Sequence, residues 1–221
     1  DQTSGLYLLT NRNMRRANEW NPSSGVGFTD YGIPYFTKNK VIAIYGTVYS
    51  QFRSGRNKGE NRTIETLPEP DYKGEFYTGR AIFSHLFDIL DAKYVSTTFT
   101  GNTPNTNESG NITEGNERII IENGVLLQGT LEKNAFGEGG SSIAPSFIYH
   151  EGYTLGTEKL VEYIELVTRL GLSIHINMGY SIGIADVGAS SKLFNDYIDP
   201  LYEEYARRIA RIDRAFVDGT L

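Results

Sequence analysis

The chain has 221 residues, 39% of them hydrophobic and 22% charged, so it is long enough to bury a proper core. Its net charge of −6 argues against a free-standing electrostatic binder of nucleic acid, and the lack of cysteine excludes disulfides and thiolate zinc sites. No apolar run has the length of a membrane span, so we expect no membrane partner.

The N-terminal part of the chain mixes short helical and β-like patterns. We expect a short helix within residues 1–18, a β-like run at 41–49 (VIAIYGTVY) and a short helix near 79–90. Residues 100–116 are rich in Asn, Thr and Gly and are predicted to form a polar loop. These patterns favour an α+β region over residues 1–150.

The stretch 118–137, RIIIENGVLLQGTLEKNAFG, places two apolar runs around an Asn-Gly pair. We predict a hairpin that turns at Asn123 and Gly124. Lys133 follows the second run and precedes Gly137, so the pattern predicts a lysine held at the rim of the hairpin. Such a fixed positive charge would suit a polyanion.

Residues 151–221 are predicted to be helical. Thr157 is the predicted cap of a first helix, which Gly179 ends. The apolar positions of this helix step by three and four, which is typical of one buried face: they are Leu160, Ile164, Val167, Leu170, Ile174 and Met178.

A second helix is predicted to begin at Pro200, with Asp199 as its cap. We expect its apolar side chains to be buried, namely Leu201, Tyr205, Ile209, Ile212 and Phe216. Arg207, Arg211 and Arg214 share another face, which is either an anion-facing stripe or a solvated, ion-paired surface.

The other motifs in the chain give weaker indications of a ligand or an active site. The segment 179–188, GYSIGIADVG, includes Gly183 and Asp186, and a packing turn is favoured over a ligand loop. Asp88 and Asp91 could form a metal pair, but two acids near a helix end are more often surface residues. The chain has no nucleophile elbow, no phosphate-binding P-loop and no His-Glu-x-x-His motif. It therefore shows no complete active site.

Four segments, in this order, resemble the largest subunit of multisubunit DNA-dependent RNA polymerase. They are DQTSGLYLLT at 1–10, FYTGRAIFSHLF at 76–87, IIIENGVLLQGTLEKNAFG at 119–137 and GYSIGIADV at 179–187. The resemblance covers most of the chain except residues 19–67, which look like an enlarged, divergent insertion. The departures from the family pattern favour an archaeal-type or divergent viral-type subunit over the bacterial one.

The resemblance implies a pore-like α+β region over residues 1–150, with the insertion at 19–67, followed by a helical region over 151–221. The helical region would lead into the first funnel helix. In the family these parts line the secondary channel, through which nucleoside triphosphates enter and backtracked RNA leaves. Transcript-cleavage factors reach the active centre by the same route.

The resemblance also implies particular contact residues. Lys133 matches the first of two adjacent lysines that face the channel, while Asn134 replaces the second. Arg80 stands where the family has lysine. Both cations would contact phosphate or the acidic tip of a factor. Structural turns are expected at Asn123, Gly124, Gly137, Gly179, Gly183 and Asp186.

The family's catalytic aspartate loop is not in this sequence, so the resemblance implies no catalytic residue, metal ligand or cofactor within it. Mg²⁺ is expected in the complete enzyme. The implied partners are the other polymerase subunits, especially the second-largest, with template DNA, RNA, nucleoside triphosphates and a transcript-cleavage factor. The expected location is cytoplasmic for an archaeal or viral type and nuclear for a eukaryotic one.

Two other classes stay open. The abundance of tyrosine (15) and glycine (24) also fits a carbohydrate-binding module. A non-catalytic scaffold or interaction protein derived from a polymerase is the other alternative.

Overall fold

A computed structural model describes residues 2–52, 67–107, 111–136, 142–151, 153–179 and 199–218. The chain divides into two compact units, one over 1–179 and one over 180–221.

The first unit combines helices with two small antiparallel sheets. The helices are α1 (Gln2–Thr10), a 3₁₀ helix (Met14–Arg16), α2 (Lys38–Phe52), α3 (Gly79–Ile89), α4 (Lys133–Phe136), α5 (Ala144–Glu151) and α6 (Tyr153–Met178). One sheet has the order β1 (Trp20–Asn21), β2 (Val26–Phe28), β3 (Pro34–Phe36) and β4 (Tyr77–Thr78). The other has the order β5 (Thr97–Thr106), β6 (Ile112–Glu122) and β7 (Val125–Gln128). The predicted α+β fold class is confirmed.

Close helix packing organises the core of this unit. A Cβ atom on Gly5 of α1 would lie 2.0 Å from the carbonyl oxygen of Gly171 in α6, so only glycine allows this approach. Gly79 lets the start of α3 meet the end of α1 in the same way. Aromatic rings fill the space beside α6, where Phe147 and Tyr163 lie 5.0 Å apart between centroids.

The β-like run at 41–49 is helical, so that prediction is wrong. The backbone N–H of Val41 donates to the carbonyl of Thr37 at 3.0 Å, in the first turn of α2. Val41, Ile44 and Tyr45 then fall on one helix face and are fully or almost fully buried. Burial of this face outweighs the β propensity of the individual residues, because tertiary packing routinely overrides propensity.

The predicted polar loop at 100–116 is also wrong, since most of it belongs to β5 and β6. These strands pair from Thr97 opposite Ile121 to Thr106 opposite Ile112, with register shifts around Pro104. Most side chains in the outer part of the hairpin are exposed, so no apolar alternation marks the strands in the sequence. Backbone hydrogen bonds, which depend little on side-chain type, form this part of the sheet.

Helix α6 begins at Tyr153, so Thr157 lies inside it and is not its cap. The first turns pack closely on α5, where a Cβ on Gly156 would lie 2.5 Å from the carbonyl oxygen of Phe147. This contact extends the helix beyond the predicted start. Of the predicted apolar face, Ile164 is 53% exposed. Gly179 ends the helix as predicted, with φ of +71° and its N–H bonded to the carbonyl of His175.

In the second unit, α7 (Asp199–Val217) begins at Asp199, one residue before the predicted start at Pro200, so Asp199 is its first residue and not its cap. Its predicted buried side chains are instead between 52% and 78% exposed, namely Leu201, Tyr205, Ile209, Ile212 and Phe216. An apolar stripe predicts which face of a helix would pack. That face is buried only where another element lies against it.

Candidate functional site

The Asn-Gly hairpin forms as predicted. Asn123 and Gly124 have φ angles of +50° and +75°, and Glu122 pairs with Val125 across the turn. The N–H of Gly124 donates to the carbonyl of Val95 at 2.8 Å. A Cβ on Gly124 would lie 2.9 Å from Cβ of Phe87, so the turn also packs closely on α3.

Lys133 does not lie on the rim of this hairpin, contrary to the prediction. Strand β7 ends at Gln128, and Gly129 redirects the chain with φ of +104°. Lys133 is the first residue of the short helix α4. Its side chain and that of Asn134 are exposed. We call residues 129–133, which carry this lysine, the tethered segment.

Two hydrogen bonds fix the start of the tethered segment. Oγ1 of Thr130 donates to Oε2 of Glu117 at 2.9 Å. The buried backbone N–H of Leu131 donates to Oγ1 of Thr10 at 2.8 Å, and that hydroxyl donates to the carbonyl of Leu6 at 2.8 Å. The end of α1 and strand β6 therefore hold the segment from two sides.

A third anchor lies directly before Lys133. The carboxylate of Glu132 accepts a hydrogen bond from the backbone N–H of Asn102 and another, at 3.0 Å, from Oγ1 of Thr103. Both donors belong to β5. The backbone that carries Lys133 is thus fixed, while its ammonium group is left exposed and makes no ion pair within the described part of the chain.

Arg80 is positioned by the start of α3. Thr78 caps the helix, because its Oγ1 accepts from the N–H of Ala81 at 3.2 Å. The carboxylate of Asp71 accepts from both the N–H and the hydroxyl of Thr78, at 2.7 and 2.5 Å. From this fixed turn, Nη1 of Arg80 donates to the carbonyl of Leu127 at 3.2 Å. The arginine therefore lies against β7, just before the tethered segment.

A second arginine lies close to Arg80. A Cβ on Gly79 would be only 1.7 Å from the carbonyl oxygen of Leu9, so the end of α1 lies directly on the start of α3. Arg12 follows α1 and donates from Nε to the carbonyl of Tyr31 at 3.2 Å. Its guanidinium carbon also lies 5.9 Å from the centroid of the Tyr31 ring. We call Arg12 and Arg80 the arginine pair.

One carboxylate and one other cation act on the guanidinium of Arg80. Burial lowers the pKa of Arg80, the carboxylate of Glu117 raises it, and Arg12 lowers it further. Nε of Arg80 is buried and has no hydrogen-bond partner within the described part of the chain. Glu117 also accepts from Thr130, so one carboxylate serves both the pair and the tethered segment. An anion would complete this arrangement.

The other predicted positions are three arginines on α7 and three turn residues. On α7, Nη2 of Arg207 lies 3.3 Å from Glu203, which agrees with the ion-paired alternative. Arg211 and Arg214 are exposed and make no ion pair within the described residues. The predicted turns at Gly137, Gly183 and Asp186 lie outside the described residues.

No metal centre is seen in the described ranges, which hold no group of three or more His, Asp or Glu side chains that could share an ion. Asp88 instead forms an ion pair with Lys93 at 2.9 Å, and Asp91 has φ of +51° just after α3. Among the helices that the structure describes, none is long and apolar enough to cross a membrane.

The residues that hold this site were not predicted from the sequence. Thr10, Glu117 and Glu132 look like ordinary polar residues in the chain, and no motif distinguishes Arg12. The sequence signals the site only through two dipeptides, the Ser-Gly pair at 4–5 and the Thr-Gly pair at 78–79. Both lie in segments that resemble the polymerase family. Their glycines, Gly5 and Gly79, are the points where α1 meets its neighbours.

Comparison with known proteins agrees with the resemblance. A family model described as RNA polymerase Rpb1, domain 3, matches residues 1–187. The DNA-directed RNA polymerase subunit Rpo1N from each of two strains of Halobacterium salinarum is 28% identical to the chain over 223 residues. Each match covers 100% of this chain and 18% of the relative, so the chain spans less than a fifth of the length of these curated relatives.

Proposed function

The chain belongs to the family of RNA polymerase Rpb1, domain 3, and from this premise we propose that it lines the secondary channel of a DNA-directed RNA polymerase. In that position Lys133 and the arginine pair contact the phosphates of incoming nucleoside triphosphates or the acidic tip of a transcript-cleavage factor. The other polymerase subunits, especially the second-largest, are its proposed partners.

The observation that carries this proposal is the tethered segment. Three side chains from different elements, Thr10, Glu117 and Glu132, fix the backbone before Lys133. A preorganised backbone reduces the ordering entropy lost when the lysine meets its ligand. Since Lys133 makes no ion pair with any of the described residues, its ammonium group can make a point-charge contact with phosphate.

The arginine pair supports the same conclusion. Glu117 is the carboxylate that raises the pKa of Arg80, and Arg12 lowers it, so two cations lie near one carboxylate here. Arginine presents a planar set of donors that matches a phosphate group. Together with Lys133, the pair would supply several cationic contacts where the family pattern has two adjacent lysines and Asn134 replaces one.

Nucleotidyl transfer is the proposed reaction of the complete polymerase. That reaction uses metal ions held by carboxylates, and the described residues of this chain do not form such a group. The proposed role of its residues is to bind and orient phosphate and to admit factors.

The test is a polymerase assembled with its complete largest subunit carrying Lys133→Ala. We expect the KM for nucleoside triphosphates to rise about fivefold with little change in kcat, because a charged hydrogen bond contributes about 1 kcal/mol or more. Factor-stimulated cleavage should slow as well. Lys133→Arg, which keeps the charge, should restore most of the affinity.

Lys93→Ala is the matched control, since it also removes one exposed lysine but only from a surface ion pair with Asp88. Asn134→Lys adds the second cation of the family pattern and should lower the KM. Unchanged elongation kinetics and unchanged factor-stimulated cleavage in Lys133→Ala would remove Lys133 from the site.

A further inference from the structure

The β5–β6 hairpin is irregular at the point where it meets the tethered segment. The pairing jumps from Thr100 opposite Arg118 to Pro104 opposite Asn116. Three residues of β5 therefore stand opposite one residue of β6, Glu117. Such a bulge takes backbone groups out of the regular ladder and bends the strand, and bulges are frequent beside functional sites, where they redirect a side chain.

Residues 101–103, which we call the bulge, bind the carboxylate of Glu132 through both of its oxygens. Oε1 accepts from the backbone N–H of Asn102, and Oε2 accepts from Oγ1 of Thr103 at 3.0 Å. Gly101 leaves room for the carboxylate, because a Cβ there would lie 3.0 Å from Oε1 of Glu132. The carboxylate therefore accepts a backbone donor that lies within the bulge and outside the regular pairing.

The residue opposite the bulge holds the same segment at a second point. Oε2 of Glu117 accepts from Oγ1 of Thr130 at 2.9 Å. Ile119, two residues further along β6, is fully buried, so this part of the hairpin is anchored in the core. The irregular part of the hairpin thus connects the core directly to Thr130 and Glu132, on which the position of Lys133 depends.

The bonds to the bulge also direct the charge of Glu132 toward β5. Glu132 is half-buried, whereas Lys133 is exposed. The backbone carbonyl of Glu132 accepts from the N–H of Ala135 at 2.9 Å, so Glu132 directly precedes the first turn of α4. Without its partners on β5, this carboxylate would be a mobile negative charge one residue from Lys133. It would then compete with an incoming phosphate for the ammonium group.

We propose that Glu132 is a positioning residue for Lys133, and that the bulge holds Glu132 in the orientation that this role requires. The role rests on the proposed function of Lys133 as a phosphate contact in the secondary channel. Glu132 fixes the backbone from which the lysine extends and keeps its own charge turned toward β5, so it acts on phosphate entirely through Lys133. A side chain that only stabilised the fold would act whether or not the lysine were present.

The test is a double-mutant cycle in a polymerase assembled with its complete largest subunit. Glu132→Ala should raise the KM for nucleoside triphosphates about threefold with little change in kcat, which is in the range of one hydrogen bond. In a subunit that already carries Lys133→Ala, whose own effect is about fivefold, the same change should have no further effect. Independent effects would multiply instead, to about fifteenfold in the double variant.

Two further variants separate the orientation of the carboxylate from its mere presence. Glu132→Gln keeps one carbonyl acceptor for the bulge and should bring the KM back toward that of the parent enzyme. Gly101→Ala leaves Glu132 and Lys133 in place but displaces the carboxylate from the new Cβ, so the KM should rise unless Lys133→Ala is also present. Glu114→Ala is the matched control with an unchanged KM, since it removes an exposed carboxylate from the outer part of the same hairpin.

The outcomes distinguish the role of Glu132 from the proposed function itself. An unchanged KM in Lys133→Ala would overturn both. A raised KM in Lys133→Ala, combined with an unchanged KM in Glu132→Ala or with effects that multiply, would overturn only the role of Glu132. A fall in kcat or in the yield of assembled enzyme, without a rise in KM, would show that Glu132 is purely structural. Should Glu132→Ala fail to assemble, Gly101→Ala takes its place in the cycle, with the same outcomes.

Discussion

Replacing Thr10 by valine tests whether the hydroxyl of α1 holds the tethered segment. Valine has nearly the shape of threonine, so the change removes the acceptor for the N–H of Leu131 without opening a cavity. Both residues are almost completely buried, and water cannot replace the 2.8 Å bond. An unsatisfied buried donor costs about 1–3 kcal/mol. We expect a loss of about 2 kcal/mol in the free energy of unfolding, or about 4–8 °C in Tm for a chain of this size.

The assay is urea and thermal unfolding of the 221-residue chain, with hydrogen exchange at the Leu131 amide. Thr10→Ser is the control, because it keeps the hydroxyl and loses one buried methyl group, which costs about 1 kcal/mol. The hydrogen-bond argument therefore predicts that valine is worse than serine, whereas apolar burial alone predicts the reverse. A Thr10→Val chain as stable as the parent, with unchanged exchange at Leu131, would refute the tether.

The remaining predictions concern two helix glycines and one buried histidine. Gly79→Ala should prevent folding or lower Tm strongly, since the new Cβ would overlap the carbonyl of Leu9. Gly46→Ala, at an exposed position of α2 with no atom near the new Cβ, should instead stabilise by up to about 1 kcal/mol; equal effects of the two changes on Tm would contradict this packing. Burial lowers the pKa of His85 below 6.5, so the unfolded chain binds its proton more readily. Stability should therefore fall as pH drops below about 6.5, and the slope from pH 7 to 5.5 should be smaller in His85→Gln. An identical slope in both proteins would show that His85 does not contribute.

Local signals predicted those parts of the fold that depend on a few neighbouring residues. The Asn123-Gly124 turn needs positive φ at both positions, and these residue types tolerate it. Gly179 marks a helix end for an equally local reason, because it adopts a positive φ there. The helix predicted near 79–90 also forms, as α3, and the structure adds Thr78 as its cap.

Where the predictions were wrong, a distant contact decided the structure. The run at 41–49 has β-forming residues, but Ile44 packs in the core and its carbonyl accepts a 2.7 Å bond from Ser173 of α6. Residues 100–116 have the composition of a loop, yet most of the described ones lie in β5 and β6, which pair from Thr100 opposite Arg118 to Thr106 opposite Ile112. The local sequence of a segment does not show which other element will pack on it or pair with it, here α6 for the run at 41–49 and the opposite strand for residues 100–116.

Composition, turn residues and short motifs were enough to predict the fold class, the hairpin turn and the family resemblance, and to select Lys133 and Arg80 as cations of interest. The tertiary structure decided how they are held. The bond from Leu131 to Thr10 joins residues 121 positions apart, and Gly79 lets the end of α1, which Arg12 follows, meet the start of α3, which carries Arg80. Backbone preference acts over a few residues, whereas burial and hydrogen bonding across the core depend on which elements meet. For that reason the lysine could be named from the sequence, but its tether could not.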